Sequence, residues 1–280
     1  MTDYYFLNGT LTSAATCRIA VTDRSYLLGD GLFETILVKN SKPVFLAEHL
    51  HRLRQSATFF AYNLPPDARL TEAVESVIDA NAVSTGAIRL TVSTRESQGL
   101  LAKPESALNI LVTFRYGDPY AAELYERGYI AVIAQTTRRN EHSPLSVHKT
   151  TNFADSILAK QEAQKSGADE AILLNTAGNL TEATVANLFL VKEGTVLTPP
   201  VKDGVLPGII RQKVLELCNT LSIPAREQTL APTELESAEE AFLTNSLVGI
   251  MPLAKAAKRA FAKSESSITN RLSQALNNNV

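Results

Sequence analysis

Lys149-Thr150-Thr151-Asn152-Phe153 runs straight into a helical pattern that reaches Lys165 and is stopped by Gly167. Two further stretches follow it. Leu180-Thr181-Glu182-Ala183-Thr184-Val185-Ala186-Asn187-Leu188-Phe189 sets a carboxylate ahead of an apolar strand, and Leu206-Pro207-Gly208-Ile209-Ile210-Arg211 is a turn feeding a second helix. The three stretches supply, in order, an amine, a carboxylate and a helix start. The amine can bond covalently to an aldehyde, the carboxylate can hold a protonated ring nitrogen, and a helix start binds an anion. Each has an ordinary reading as well. Most lysines are solvated, a lone glutamate beside a strand is commonly a surface charge, and Pro-Gly commonly just opens a helix.

Other blocks lie around these three. Asn8-Gly9, Asp23-Arg24, Gly29-Asp30-Gly31-Leu32-Phe33-Glu34-Thr35 and His49-Leu50-His51-Arg52-Leu53 precede them, and Phe242-Leu243-Thr244-Asn245-Ser246 follows. In this order the blocks resemble the class IV (fold-type IV) pyridoxal-phosphate enzymes. That family includes branched-chain aminotransferases, D-amino-acid aminotransferases and 4-amino-4-deoxychorismate lyases. The resemblance runs from Asn8 to Leu253. It implies pyridoxal 5′-phosphate as cofactor, with Lys149 as the Schiff-base amine and, once released, the proton carrier. Glu182 would face the pyridine nitrogen. Arg52, Gly208, Ile209, Ile210, Thr244 and Asn245 would hold the phosphate, with Arg54 a competitor for the role of Arg52. It also implies a homodimer.

The resemblance narrows the reaction. A branched-chain aminotransferase carries a tyrosine just beyond its Schiff-base lysine, but here the Asn-aromatic pair is Asn152-Phe153, without a hydroxyl. The tyrosine, arginine and histidine with which a D-amino-acid aminotransferase traps the substrate carboxylate correspond to Phe33, Arg95 and Ser97. Gly29–Thr35, Arg138-Arg139-Asn140, Ser143-Pro144-Leu145 and Phe242–Ser246 look most like a 4-amino-4-deoxychorismate lyase, which forms 4-aminobenzoate, a folate precursor, and pyruvate. An aminotransferase acting on D-amino or branched-chain amino acids is the alternative. A lyase substrate with two carboxylates calls for cations, and Arg95, Arg138 and Arg139 are candidates, with Thr35 as a donor. His148 adjoins Lys149 and is a candidate proton shuttle. His49 and His51 read as helix-surface groups, and no cluster has metal-ligand spacing.

Composition excludes other classes. Lys plus Arg is 27 and Asp plus Glu 29, so the net charge of −2 gives no reason to expect nucleic acid or an anionic membrane as partner. A small-molecule substrate is expected instead. Cys17 and Cys218 have no CxxC spacing, which makes a reducing compartment the default. Met1-Thr2-Asp3-Tyr4-Tyr5 lacks the basic-then-apolar form of a signal peptide, and no apolar run approaches the ~18 residues of a membrane span. A cytoplasmic protein is expected.

Periodicity predicts two α/β (α+β) domains. The fold expected from the resemblance is that of a two-domain, D-amino-acid aminotransferase-like fold-type IV enzyme with its cofactor at the domain interface. An N-terminal domain over 1–115 has hairpins at Asn8-Gly9 and Lys39-Asn40-Ser41-Lys42, the second joining Leu32–Val38 to Pro43–Leu46. Leu46, His49, Leu50, Leu53 and Ala57 mark one helix face, and Leu70, Val74, Val77 and Ile78 another. Residues 116–120 form a linker, and 121–280 a C-terminal cofactor-binding domain. There Ile209, Ile210, Val214, Leu217, Cys218 and Leu221 share a helix face, and Thr233-Glu234-Leu235-Glu236 has capping-box form.

Overall fold

Alternation over Gly31–Lys39 places Leu32, Glu34, Ile36 and Val38 on one face of a strand and Phe33 and Thr35 on the other. In the computed structural model, which describes residues 2–95, 99–102, 106–262 and 264–279, that strand lies inside the first of two units. The first unit comprises Met1–Pro119 and His148–Asn152, the second Tyr120–Val147 and Phe153–Val280.

The first unit contains β1 (Tyr4–Leu7), β2 (Thr10–Ser13), α1 (Arg24–Leu28), β3 (Gly31–Lys39), β4 (Lys42–Pro43), α2 (Leu46–Phe59), α3 (Asp67–Ala80), β5 (Thr85–Thr94) and β6 (Leu108–Tyr116). Its antiparallel sheet has the order β2-β1-β6-β5-β3-β4. Leu32, Ile36, Val38, Ile88, Leu90, Val92 and Val112 form a core with Leu50, Leu53 and Ala57 of α2 and Leu70, Val74, Val77 and Ile78 of α3. Burying each large side chain contributes roughly 1.5–3 kcal/mol. This packing gives β3 one covered face and leaves Phe33 and Thr35 on the opposite one. Beyond Phe33, the free edge of β3 is joined by the 148–152 segment: Leu32 bridges Thr150, and Phe33 N donates to Lys149 O at 3.0 Å.

The second unit contains α4 (Ala122–Arg127), β7 (Tyr129–Ile133), α5 (Ala154–Lys165), β8 (Glu170–Leu174), β9 (Leu180–Ala183), β10 (Asn187–Lys192), β11 (Thr195–Thr198), α6 (Ile209–Thr220), β12 (Ala225–Glu227), α7 (Pro232–Ser237), β13 (Glu240–Asn245), β14 (Gly249–Ala256), β15 (Arg259–Ala260) and α8 (Ile268–Asn277). The sheet runs β12-β11-β10-β13-β14-β7-β8-β9, and β9 also pairs with β10, so the middle strands close on themselves. Leu188, Leu190, Leu243, Met251, Leu253 and Ile172 belong to the core of this unit. Among the described residues no helix is long and apolar enough to cross a membrane, and no group of His, Cys, Asp and Glu could hold a metal ion.

Several expectations are corrected. Pro43–Leu46 is not a strand: pairing stops at Pro43, and Leu46 opens α2. The Thr233 capping box is not formed. Ala231 is the N-cap of α7 and Pro232 occupies the first turn, where a missing N–H costs nothing. Residues 148–152 pack with the first unit, although the sequence stretch on both sides belongs to the second.

Candidate functional site

Lys149 is placed by its neighbours in the chain. On its C-terminal side Thr151 N donates to Gly31 O at 2.9 Å, Thr151 Oγ1 to Gly29 O at 2.8 Å, and Asn152 Nδ2 to Gly29 O at 2.9 Å. These bonds lay the segment along the start of β3. The Lys149 ammonium lies 4.5 Å from the centroid of the Phe33 ring, and the Arg89 guanidinium lies 3.6 Å from the same centroid. Two cations thus lie against one aromatic ring, an arrangement stabilised by the ring quadrupole. Arg89 is the register partner of Thr35, so Lys149, Phe33, Thr35 and Arg89 occupy the face of the sheet that the helices leave uncovered. Sequence reasoning missed Arg89. Its alternation on β5 was the signal, since it interrupts a strand whose neighbours Ile88 and Leu90 are core.

His148 turns the other way. Its Nδ1 lies 3.0 Å from Ser56 Oγ, and its ring stacks on Phe59 at 4.5 Å and meets Phe60 edge-on at 5.4 Å. Burial draws the imidazole below its usual pKa. It packs on α2, whereas Lys149 contacts Phe33, so it is not placed as a proton shuttle for its neighbour.

Glu34, on the covered face of β3, is 1% exposed. It accepts from Arg52 Nε at 2.9 Å, Arg52 Nη2 at 2.6 Å and His49 Nδ1 at 2.6 Å. Burial opposes ionisation of this carboxyl, but the Arg52 guanidinium and the hydrogen bonds from His49 and Arg52 outweigh it and hold the pKa at about 2. His49 is therefore a buried partner of Glu34 and not a helix-surface group. Arg52 is oriented by the same carboxylate. Arg54, its competitor, pairs on the surface with Asp67.

In the second unit the register does the assembling. Asn187 of β10 is the partner of both Glu182 on β9 and Thr244 on β13, so the three side chains stand in one row. Glu182 accepts from Arg139 Nη2 at 2.9 Å, Asn187 Nδ2 at 3.2 Å and Leu206 N at 3.1 Å. Asn187 Nδ2 also donates to Leu206 O at 2.9 Å, which docks the turn before α6 onto the row. Gly208 is the N-cap of α6, and no side chain caps it. A Cβ on Gly208 would collide with Asn187 Oδ1, so only glycine allows this approach. Ile209 and Ile210, the first residues of α6, are buried. A buried, uncapped helix start leaves N–H groups that an anion satisfies. Thr244 Oγ1, on a residue 1% exposed, has no hydrogen-bond partner among the described residues. An orphan hydroxyl in the row with Glu182 and Asn187 marks where a polar ligand completes the structure.

The remaining candidates are spent elsewhere. Arg138 Nη1 donates to the carbonyls of Ala134 and Thr137 at 2.8 and 2.9 Å. Arg139, besides Glu182, donates to Gly204 O at 3.0 Å and Ser146 O at 2.5 Å. Neither is laid out as a substrate-carboxylate clamp. Both sit in a polar loop whose carbonyls need donors, a demand that residue type alone does not reveal. Arg95 donates from Nε to Leu108 O at 3.0 Å and lines a hollow with Asn8, Asn63 and Arg69. Asn245 holds the turn after β13, accepting from Leu247 N and Val248 N at 2.8 and 2.9 Å. Ser97 lies outside the described residues.

Comparison with known proteins matches the class IV amino-transferase family model to residues 31–256. A D-alanine aminotransferase of Bacillus licheniformis is 30% identical over 247 residues, which are 88% of this chain and 86% of the relative. Among solved structures, the branched-chain amino acid aminotransferase of Escherichia coli shares the fold with a TM-score of 0.92 at 26% identity, over 99% of this chain and 94% of the other. A 4-amino-4-deoxychorismate lyase from Pseudomonas aeruginosa has a TM-score of 0.86 at 26% identity, over 98% of each chain.

Proposed function

The chain belongs to the class IV aminotransferase family, and from that premise we propose that it is a pyridoxal-phosphate-dependent lyase that splits 4-amino-4-deoxychorismate into 4-aminobenzoate and pyruvate. Pyridoxal 5′-phosphate supplies an electron sink for the carbon that bears the substrate's nitrogen. The residues present fit it. The uncapped start of α6 at Gly208, Ile209 and Ile210, with the orphan hydroxyl of Thr244, offers donors to the phosphate. Arg52, oriented by Glu34, is assigned to the same group, while the Asn245 side chain stays in the turn after β13. Glu182, fixed by Arg139, Asn187 and Leu206, accepts the N–H of the protonated ring.

The observation that carries the choice of reaction is the ring beside Lys149. Phe33 is a buried ring that holds the Lys149 and Arg89 cations beside it, and it has no hydroxyl with which to grip an amino acid's carboxylate. A cyclic diene with two carboxylates suits this cationic setting: Arg89 takes one carboxylate, and Thr35 donates nearby. Lys149 Nζ then removes the proton from the carbon bearing nitrogen. Departure of the neighbouring enolpyruvyl oxygen as pyruvate leaves an aromatic ring, which drives the reaction. The protein's task is mainly to orient that C–H bond. The finer assignments, a homodimer and the cytoplasm, are part of the same proposal.

An aminotransferase is the second reading, favoured by the 30% identity to the D-alanine aminotransferase. One assay separates them. Incubation with 4-amino-4-deoxychorismate should release 4-aminobenzoate and pyruvate in equal amounts. Amino exchange between alanine, glutamate or branched-chain amino acids and a keto acid, without 4-aminobenzoate, would instead establish the second reading.

A further inference from the structure

We propose that His148 is the positioning residue of Lys149: gripped by Ser56, Phe59 and Phe60, it fixes the backbone that aims the amine. The inference rests on the assignment of Lys149 as the reacting amine. After Lys149 the chain is tied down by Thr150, Thr151 and Asn152, which bond to the start of β3. Before it the chain comes from a region assigned to the second unit, and His148 is the first residue counted with the first. The imidazole is held on three sides by one turn of chain at the end of α2. Ser56 Oγ lies 3.0 Å from Nδ1, Phe59 stacks on the ring and Phe60 abuts its edge.

Thr150 N donates to His148 O at 3.1 Å, so the chain makes a tight turn centred on Lys149. With the His148 ring held on α2, that turn directs the Lys149 side chain toward Phe33, on the face the helices leave bare. Lysine has a long, rotamer-rich side chain, so a swing of the backbone at its root carries the amine away from its reacting position. An aromatic ring with one polar edge suits this grip. A phenyl group would keep the stacking and lose the Ser56 bond, and a methyl group would lose both.

The test compares His148→Ala, His148→Phe and Ser56→Ala with the wild-type holoenzyme. It reads kcat and KM separately, the rate at which borohydride fixes the cofactor on Lys149, and the thermal midpoint. Misplacing a reacting group by about 1 Å costs on the order of 10²-fold. His148→Ala should lose about that much in kcat, with KM little changed and borohydride fixation slowed. His148→Phe should recover about tenfold of the loss, and Ser56→Ala should lose about fivefold, the worth of one hydrogen bond. Unchanged kcat in His148→Ala, with only the thermal midpoint lowered, overturns the proposal. If His148→Ala does not fold, unchanged kcat in both His148→Phe and Ser56→Ala overturns it. Borohydride fixation of the wild type at a lysine other than Lys149 defeats both the assignment of the amine and this inference. Fixation at Lys149 with kcat unaffected by the substitutions defeats this inference alone.

Discussion

Glu34 and Glu182 are buried carboxylates built on the same plan, set in different surroundings. Each meets an arginine, Arg52 in one unit and Arg139 in the other, and each takes a further side-chain hydrogen bond, from His49 or from Asn187. Glu34 is sealed between β3 and α2 by core side chains, with both its oxygens bonded. Glu182 lies next to a buried helix start without a cap and in a row with a hydroxyl that bonds to nothing described. An ion pair alone thus does not mark a site. The unmet polar groups beside it do, because a folded chain leaves few of them.

The strongest way to break this contrast is to neutralise each carboxylate in turn. Glu182→Gln should lower turnover about 10²- to 10³-fold, the scale of losing one preorganised electrostatic partner, with some loss of stability from its broken pair with Arg139. Glu34→Gln should cost about 3–5 kcal/mol of stability, as expected when one member of a buried ion pair is removed. Its folded fraction, saturated with cofactor, should keep most of its turnover. Denaturant titration and steady-state kinetics on both variants check this, and the reverse pattern would dissolve the distinction.

Acid supplies a graded version. Glu34 is held at about 2 against an ordinary value of 4.5. Its stabilising contribution is therefore complete above pH 4.5 and lost as the pH falls toward 2. The shift corresponds to about 3 kcal/mol. The slope of stability against pH over that window should flatten in Glu34→Gln, as read by urea titrations at several pH values. Smaller again is Gly208→Ala. The new methyl group meets Asn187 Oδ1, and overpacking of this kind costs roughly 1–3 kcal/mol. The loss should show as weaker cofactor affinity, measured by absorbance titration. Smallest is Arg54→Ala, which removes a surface pair with Asp67 and should change stability by no more than about 1 kcal/mol.

Helices with a full apolar face were legible in the sequence. Leu46 to Ala57 and Ile209 to Cys218 fall where their spacing put them. β9 was not, because Leu180, Thr181, Glu182 and Ala183 are all buried and no alternation remains to be seen. Lys149 and Glu182 stood out through the order of motifs. The partner of His49 could not, since Glu34 lies in another element and only tertiary packing joins them. The carbonyls that Arg138 and Arg139 serve were hidden for a related reason: they belong to loops whose shape no local pattern specifies.

The assignment of His148–Asn152 to the first unit has a consequence for synthesis on the ribosome. When β3, β5 and β6 have emerged, the rim of the first sheet at Leu32 and Phe33 still lacks its mate. That mate arrives only after residues 120–147, which belong to the other body, have been translated. The first half can therefore not be finished before the second has begun, and a gene split at residue 119 would yield a first fragment without the segment that carries Lys149.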